Sequence, residues 1–170
     1  MRRTAVLVVF GLVAAFHVMV ALPAGAKTTV AFQAEFKESF GRANSKPCSH
    51  FLCGIGTVQG FGDATDTWDP TSLEPIEGTN CALYSAERSI TLASDGSTLS
   101  LTEEGTVCFP GQSAEAVGAQ HSFGNPFDAS ATYDVDRGTG VFRGSKGSGT
   151  DHLTTAGDAG HSQLSGTLTL

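Results

Sequence analysis

From Lys27 onward the chain alternates apolar and polar residues in short runs separated by glycine, and it never sustains a helical stripe of ten or more residues. Val30, Phe32, Ala34 and Phe36 interleave with Thr29, Ala31, Gln33 and Glu35, the period of a strand with one buried face. The run Gly54-Ile55-Gly56-Thr57-Val58-Gln59-Gly60-Phe61-Gly62 is strand-like but studded with glycine, as where a sheet bends sharply or another backbone comes close. Asp128 to Asp136 alternates again. Gly138-Thr139-Gly140 then reads as a turn, with a strand starting at Val141-Phe142 and another opening at Gly147-Ser148-Gly149 into Thr150 to Thr155. The final residues, Leu164 to Leu170, alternate too, and a terminal strand persists only when paired. Pairing it with the first strand closes a barrel. The expectation is an all-β domain over residues 27–170, a small closed antiparallel β-barrel of about eight strands.

One hairpin is specific enough to predict a register. Ser94-Asp95-Gly96-Ser97 centres a two-residue Asp-Gly turn between Ile90-Thr91-Leu92 and Leu99-Ser100-Leu101. Pairing Ser94 with Ser97 sets Leu92 against Leu99, Ile90 against Leu101, Arg88 against Glu103 and Tyr84 against Val107, all on one face. It also sets Leu83 against Cys108, leaving Cys81 one diagonal step away, so that a bulge between Cys81 and Tyr84 is needed for a bridge. Four cysteines, Cys48, Cys53, Cys81 and Cys108, allow three connectivities of two disulfides. The short loop between the first two and the hairpin between the last two favour Cys48 with Cys53 and Cys81 with Cys108. The longer bridge would contribute roughly 3 kcal/mol by loop entropy. Zinc is the competing reading, but a Cys-x4-Cys with the other cysteines distant lacks the ligand spacing of a metal site.

Residues 1–26 are of a different kind. Arg2 and Arg3 precede an apolar run from Ala5 to Leu22, which ends in Ala24-Gly25-Ala26. This is the layout of a secretory signal cleaved after Ala26, and it predicts a secreted, extracellular protein with no stable membrane insertion after cleavage. An uncleaved anchor is the alternative, since the run nearly suffices to span a bilayer; His17 and the small-x-small site argue against it. Cleavage leaves eight basic against 17 acidic residues. Phosphate backbones and anionic lipid heads repel such a surface, so no nucleic-acid partner is expected.

The segment Arg137-Gly138-Thr139-Gly140-Val141-Phe142-Arg143-Gly144-Ser145-Lys146-Gly147 resembles the late turn-and-strand motif shared by plant allene oxide cyclases and dirigent proteins. In those families a Gly-small-Gly turn, an aromatic and a further glycine mark the edge of an eight-stranded antiparallel barrel. The order of elements also resembles secreted bacterial proteins assigned to that barrel group. The likeness covers the last third of the chain by motif and the rest by rhythm alone. It implies the barrel, and a cyclase- or dirigent-like isomerase as one possible activity. None of the families' catalytic carboxylates can be placed on a residue here.

Candidate chemistry is sparse. Arg88 and Glu103 face each other on the side that carries Tyr84, Ile90, Leu92, Leu99 and Leu101. There they form either a ligand-orienting pair or an inert structural ion pair. Asp63 to Asn80 reads as mostly loop, with Asp69-Pro70, Glu74-Pro75 and Gly78. Trp68 on that loop is either a binding tip or a plug folded over the core. Asp63, Asp66 and Asp69 recur every third residue without a calcium-loop glycine or closing Glu, and read as a solvated loop. His50, His121, His152 and His161 are scattered without metal-site spacing, and Phe123, Pro126 and Phe127 read as anchors of a loop. No metal and no cofactor are expected.

Three functions fit. The first is a non-catalytic barrel that holds a small apolar or aromatic molecule in its mouth, with Arg88, Glu103, Tyr84 and Trp68 as contacts. The second is the isomerase. The third is a structural or adhesive protein of the cell exterior, its barrel filled by its own side chains. A core packed solid by Phe, Leu and Val removes the first two.

Overall fold

The computed structural model describes residues 27–41, 48–112 and 126–170. The signal segment, His121 and Phe123 lie outside them. Eight strands follow in order: β1 (Thr29–Phe40), β2 (Leu52–Val58), β3 (Gly62–Pro75), β4 (Cys81–Leu92), β5 (Thr98–Cys108), β6 (Asp128–Gly138), β7 (Lys146–Ala156) and β8 (Ala159–Thr169). Each pairs antiparallel with the next. β1 also pairs with β8, from Thr29↔Thr169 to Ser39↔Ala159, and so closes the barrel. Period-two burial along the strands follows from the pleat: alternate side chains enter the lumen, and the rest stay on the polar outer wall.

The inward residues form two apolar clusters. One contains Phe32, Phe36, Ile90, Leu92, Leu99, Phe142 and Leu168 at the end of the β2–β3, β4–β5 and β6–β7 connections. The other contains Leu52, Trp68, Tyr84, Val107, Phe109, Phe127 and Leu153 at the end of the β1–β2, β3–β4, β5–β6 and β7–β8 connections. Phe142 does not begin a strand as expected. It sits in a single 3-10 turn, Gly140–Phe142, that lays its ring over the barrel end with its centroid 4.9 Å from that of Phe61. Gly140 permits this turn through a φ of 56°, and a Cβ there would collide with Ser97 Oγ. At the other end Trp68 stacks on Phe127 at 6.3 Å and meets Tyr84 edge-on at 5.9 Å.

The β4–β5 register corrects the expectation. Ile90 pairs with Leu99, Arg88 with Leu101 and Ala86 with Glu103, and Cys81 lies directly opposite Cys108. No bulge is needed for that bridge, and none is present in this pairing. The turn is longer than two residues. The Asp95 carboxylate accepts from the Ser97 N–H (2.9 Å) and Oγ (2.8 Å), Gly96 at φ 72° donates to the Leu92 carbonyl, and Ala93 to Gly96 form the loop. The pairing therefore slips by two residues, which preserves the face of every side chain. Both disulfides, Cys48–Cys53 and Cys81–Cys108, are formed.

The segment read as loop from Asp63 is corrected as well, since β3 runs to Pro75. Ala64, Asp66 and Trp68 point inward and alternate with Asp63, Thr65 and Thr67; the aspartate at an inward position disguised the period. Trp68 is fully buried in the barrel interior, which excludes the binding tip and keeps the core-plugging role, and it reaches there from strand β3 rather than from a loop.

Candidate functional site

Between the two apolar clusters lies a layer of charge. Arg88 projects inward from β4 and is 1% exposed. Its five N–H groups meet five acceptors. Nε donates to Glu103 Oε1 (2.6 Å), and Nη1 donates to Glu38 Oε1 (2.7 Å) and to Asp66 Oδ2. Nη2 donates to Asp151 Oδ2 (2.9 Å) and Ser162 Oγ (3.1 Å). Ser162 in turn donates to Glu38 Oε1 at 2.6 Å, and Trp68 Nε1 donates to Glu103 Oε2 at 2.8 Å. The partners come from β1, β3, β5, β7 and β8, so one guanidinium ties most of the barrel's circumference together. Space for it is made on β2, where a Cβ at Gly54 would fall 2.1 Å from Asp66 Oδ1 and 2.9 Å from Glu38 Cγ.

One cation faces four carboxylates, and the imbalance is met by protons. Burial raises the Asp66 pKa to about 8 against the pull of Arg88, with the charge of Glu38 adding to the rise. Burial likewise raises Asp151 to about 7, again against Arg88, with Glu103 and Glu38 adding to it. Burial disfavours the Arg88 charge, but Glu103, Asp151, Glu38 and Asp66 outweigh it and hold the guanidinium protonated. Among the described residues no donor meets Asp66 Oδ1 or Asp151 Oδ1, and a side-chain hydrogen bond with Glu38 adds to the rise of Asp66.

Of the expected site residues, Arg88 and Glu103 are thus in contact, diagonally rather than directly opposite, and Trp68 joins them. Tyr84 packs on Trp68 in the same interior. Asp66, read as a solvated loop residue, belongs to this buried layer, while Asp63 and Asp69 lie on the outer wall. Glu38, Asp151 and Ser162 were missed. Their signal was present in the sequence, because each occupies an inward parity position of an otherwise apolar alternation: Phe36-x-Glu38, Asp151-x-Leu153 and Ser162-x-Leu164.

A second polar constellation lies on the outer wall of β3 to β6. Register partners Thr67, Ser89, Ser100 and Arg137 form one row across four strands, and Asp69, Glu87 and Thr102 form the next. A cavity of about 330 Å³ opens over them, edged by His50 and Asp136. His50 Nδ1 lies 2.5 Å from Asp69 Oδ2, and Asp69 Oδ1 accepts the Phe51 N–H at 2.7 Å. Thr102 Oγ1 donates to Asp136 Oδ2 at 2.5 Å, and Arg137 Nε donates to Ser100 Oγ at 3.4 Å. Two bulges flank the groove. Thr71 is unpaired between Pro70 and Ser72 in β3, and Asp136 is unpaired in β6, which lets Asp136 and Arg137 both face outward.

His152 and His161 are exposed on the wall, beside Asp128 and Glu35. Among the described residues no three His, Cys, Asp or Glu side chains are grouped to hold a metal ion, and no helix is long and apolar enough to cross a membrane. No family model, no curated protein and no solved structure matches this chain.

Proposed function

We propose that this chain is a secreted, non-catalytic structural protein of the cell exterior, a barrel filled by its own side chains that acts through its outer surface. The observation that carries this reading is the filling of the lumen. Phe142 and Phe61 cover one end, Trp68 and Phe127 fill the other, and the guanidinium of Arg88 has every donor engaged by the protein itself. A ligand-orienting arginine would keep a donor for its ligand. The raised acids Asp66 and Asp151, the chemistry an isomerase would call on, have side chains at most 1% exposed. Cavities of about 330 and 540 Å³ open on the outer wall.

Secretion rests on the first 26 residues, and two disulfides fit an oxidising exterior. Membership of the barrel group that resembles allene oxide cyclases and dirigent proteins rests on the Arg137–Gly147 motif. Here that motif acts as a turn and a plug, which supports a shared fold without shared chemistry. Native mass spectrometry of the protein from its own culture medium tests the reading. The expected species is the chain from Lys27 with two disulfides and no adduct, and a retained apolar molecule overturns it.

A further inference from the structure

The groove across β3 to β6 has the features of a built site. Its floor is a row of hydroxyls, Thr67, Ser89 and Ser100, laid side by side by the sheet register. Four neighbouring strands span roughly 14 Å, the length of a short chain of rings. At one end the Cys48–Cys53 bridge constrains the loop that carries His50, and the Asp69 carboxylate fixes its Nδ1. With Nδ1 bonded to the carboxylate, Nε2 is the nitrogen left for a ligand. At the other end the bulge at Asp136 presents a carboxylate and the Arg137 guanidinium together. Bulges of this kind gather next to sites because they re-aim a side chain without breaking the sheet.

The lining selects the class of ligand by elimination. An anion would face Asp69, Glu87 and Asp136 with a single guanidinium to hold it. An apolar molecule would strand the hydroxyls and charges without partners. A metal ion lacks a ligand cluster among the described residues. What fits is a neutral molecule offering closely spaced O–H donors and oxygen acceptors, to be met by carboxylates on one side and by Arg137, His50 and hydroxyls on the other. The volume, about 330 Å³, falls within the range of small-molecule sites, about 300 to 1,000 Å³. We propose that the outer groove between His50 and Arg137 binds carbohydrate, a neutral saccharide chain lying across β3 to β6. The proposal rests on the outer-surface clause of the reading above, and deepens it.

Native affinity electrophoresis tests it, with the disulfide-bonded protein run in gels cast with soluble starch, pullulan, hydroxyethyl cellulose or glycol chitin. At least one polysaccharide is expected to retard the protein. Arg137→Gln and His50→Gln should each weaken that retardation at least tenfold at an unchanged thermal midpoint, whereas Gln163→Ala, on the far wall, should leave it intact. Mobility unchanged in every gel, or retardation untouched by both groove variants, overturns the proposal. If saccharide binding fails while the protein purifies free of any internal ligand, the groove inference falls and the filled barrel stands. If a ligand is extracted from the lumen while groove binding stays intact, the filled barrel falls and the groove inference stands.

Discussion

The two polar constellations use the same residue types, acids with a basic or titratable partner and hydroxyls between them, and burial gives them opposite roles. Inside, Arg88 and its four carboxylates are out of water, so every donor must be matched and every excess charge neutralised. That arrangement is rigid, specific and costly to disturb. On the outer wall, the His50 and Asp69 side chains are 42% and 43% exposed, and water screens their attraction. The fold loses little if they are changed, which leaves them available for recognition. The conspicuous charged cluster of this protein thus belongs to its architecture, and the modest one to its surface chemistry.

The largest expected effect lies inside. Arg88→Met leaves four acids in the lumen without their cation and should cost on the order of 3–5 kcal/mol, a large part of the whole stability of a small domain, about 5–15 kcal/mol. Thermal unfolding followed by circular dichroism at pH 7 should find the midpoint lowered by about 10 °C or more, with part of the loss regained near pH 4 as the acids protonate. A thermal midpoint within a few degrees of the parent at pH 7 would show the inner network to be no more structural than the outer one.

The protonation of the interior gives the next test. Asp66 and Asp151 titrate near pH 8 and 7 in the fold but near 3.8 in the unfolded chain. Between these values the folded state binds more protons, so stability falls as pH rises from about 4 to about 8, and their contribution is full only below about 4. Urea midpoints measured across that interval should decline. Asp66→Asn, which mimics the neutral acid, should flatten the decline; an equally steep slope in the variant would place the titration elsewhere.

The smallest effect belongs to the surface. His50→Gln removes an exposed, screened contact and should shift stability by less than about 1 kcal/mol. Chemical denaturation showing a loss of several kcal/mol would mean that the outer dyad is structural, and the contrast between the two networks would collapse.

The closed barrel was legible from residue chemistry alone because period-two alternation, turn glycines and a terminal strand are local signals. Inward parity of Arg88 and Glu103 was legible too, and survived a register two residues off because an even slip conserves the face. The slip itself was not readable: Asp95 turned its carboxylate onto Ser97 within a four-residue loop, where an Asp-Gly pair signals the two-residue turn first. Trp68 and Asp66 were hidden for a related reason, since an acid at an inward position is interpretable only when its partner is known.

Local residue order therefore carries the class of fold, the pairing of the cysteines and the face that most strand residues take. Only the closed barrel settles that five strands send an acid or a hydroxyl to one guanidinium, and that hydroxyls from three adjacent strands align beneath His50. Strand closure brings together residues as far apart as Glu38 and Ser162, 124 positions from each other, and no local pattern spans that distance.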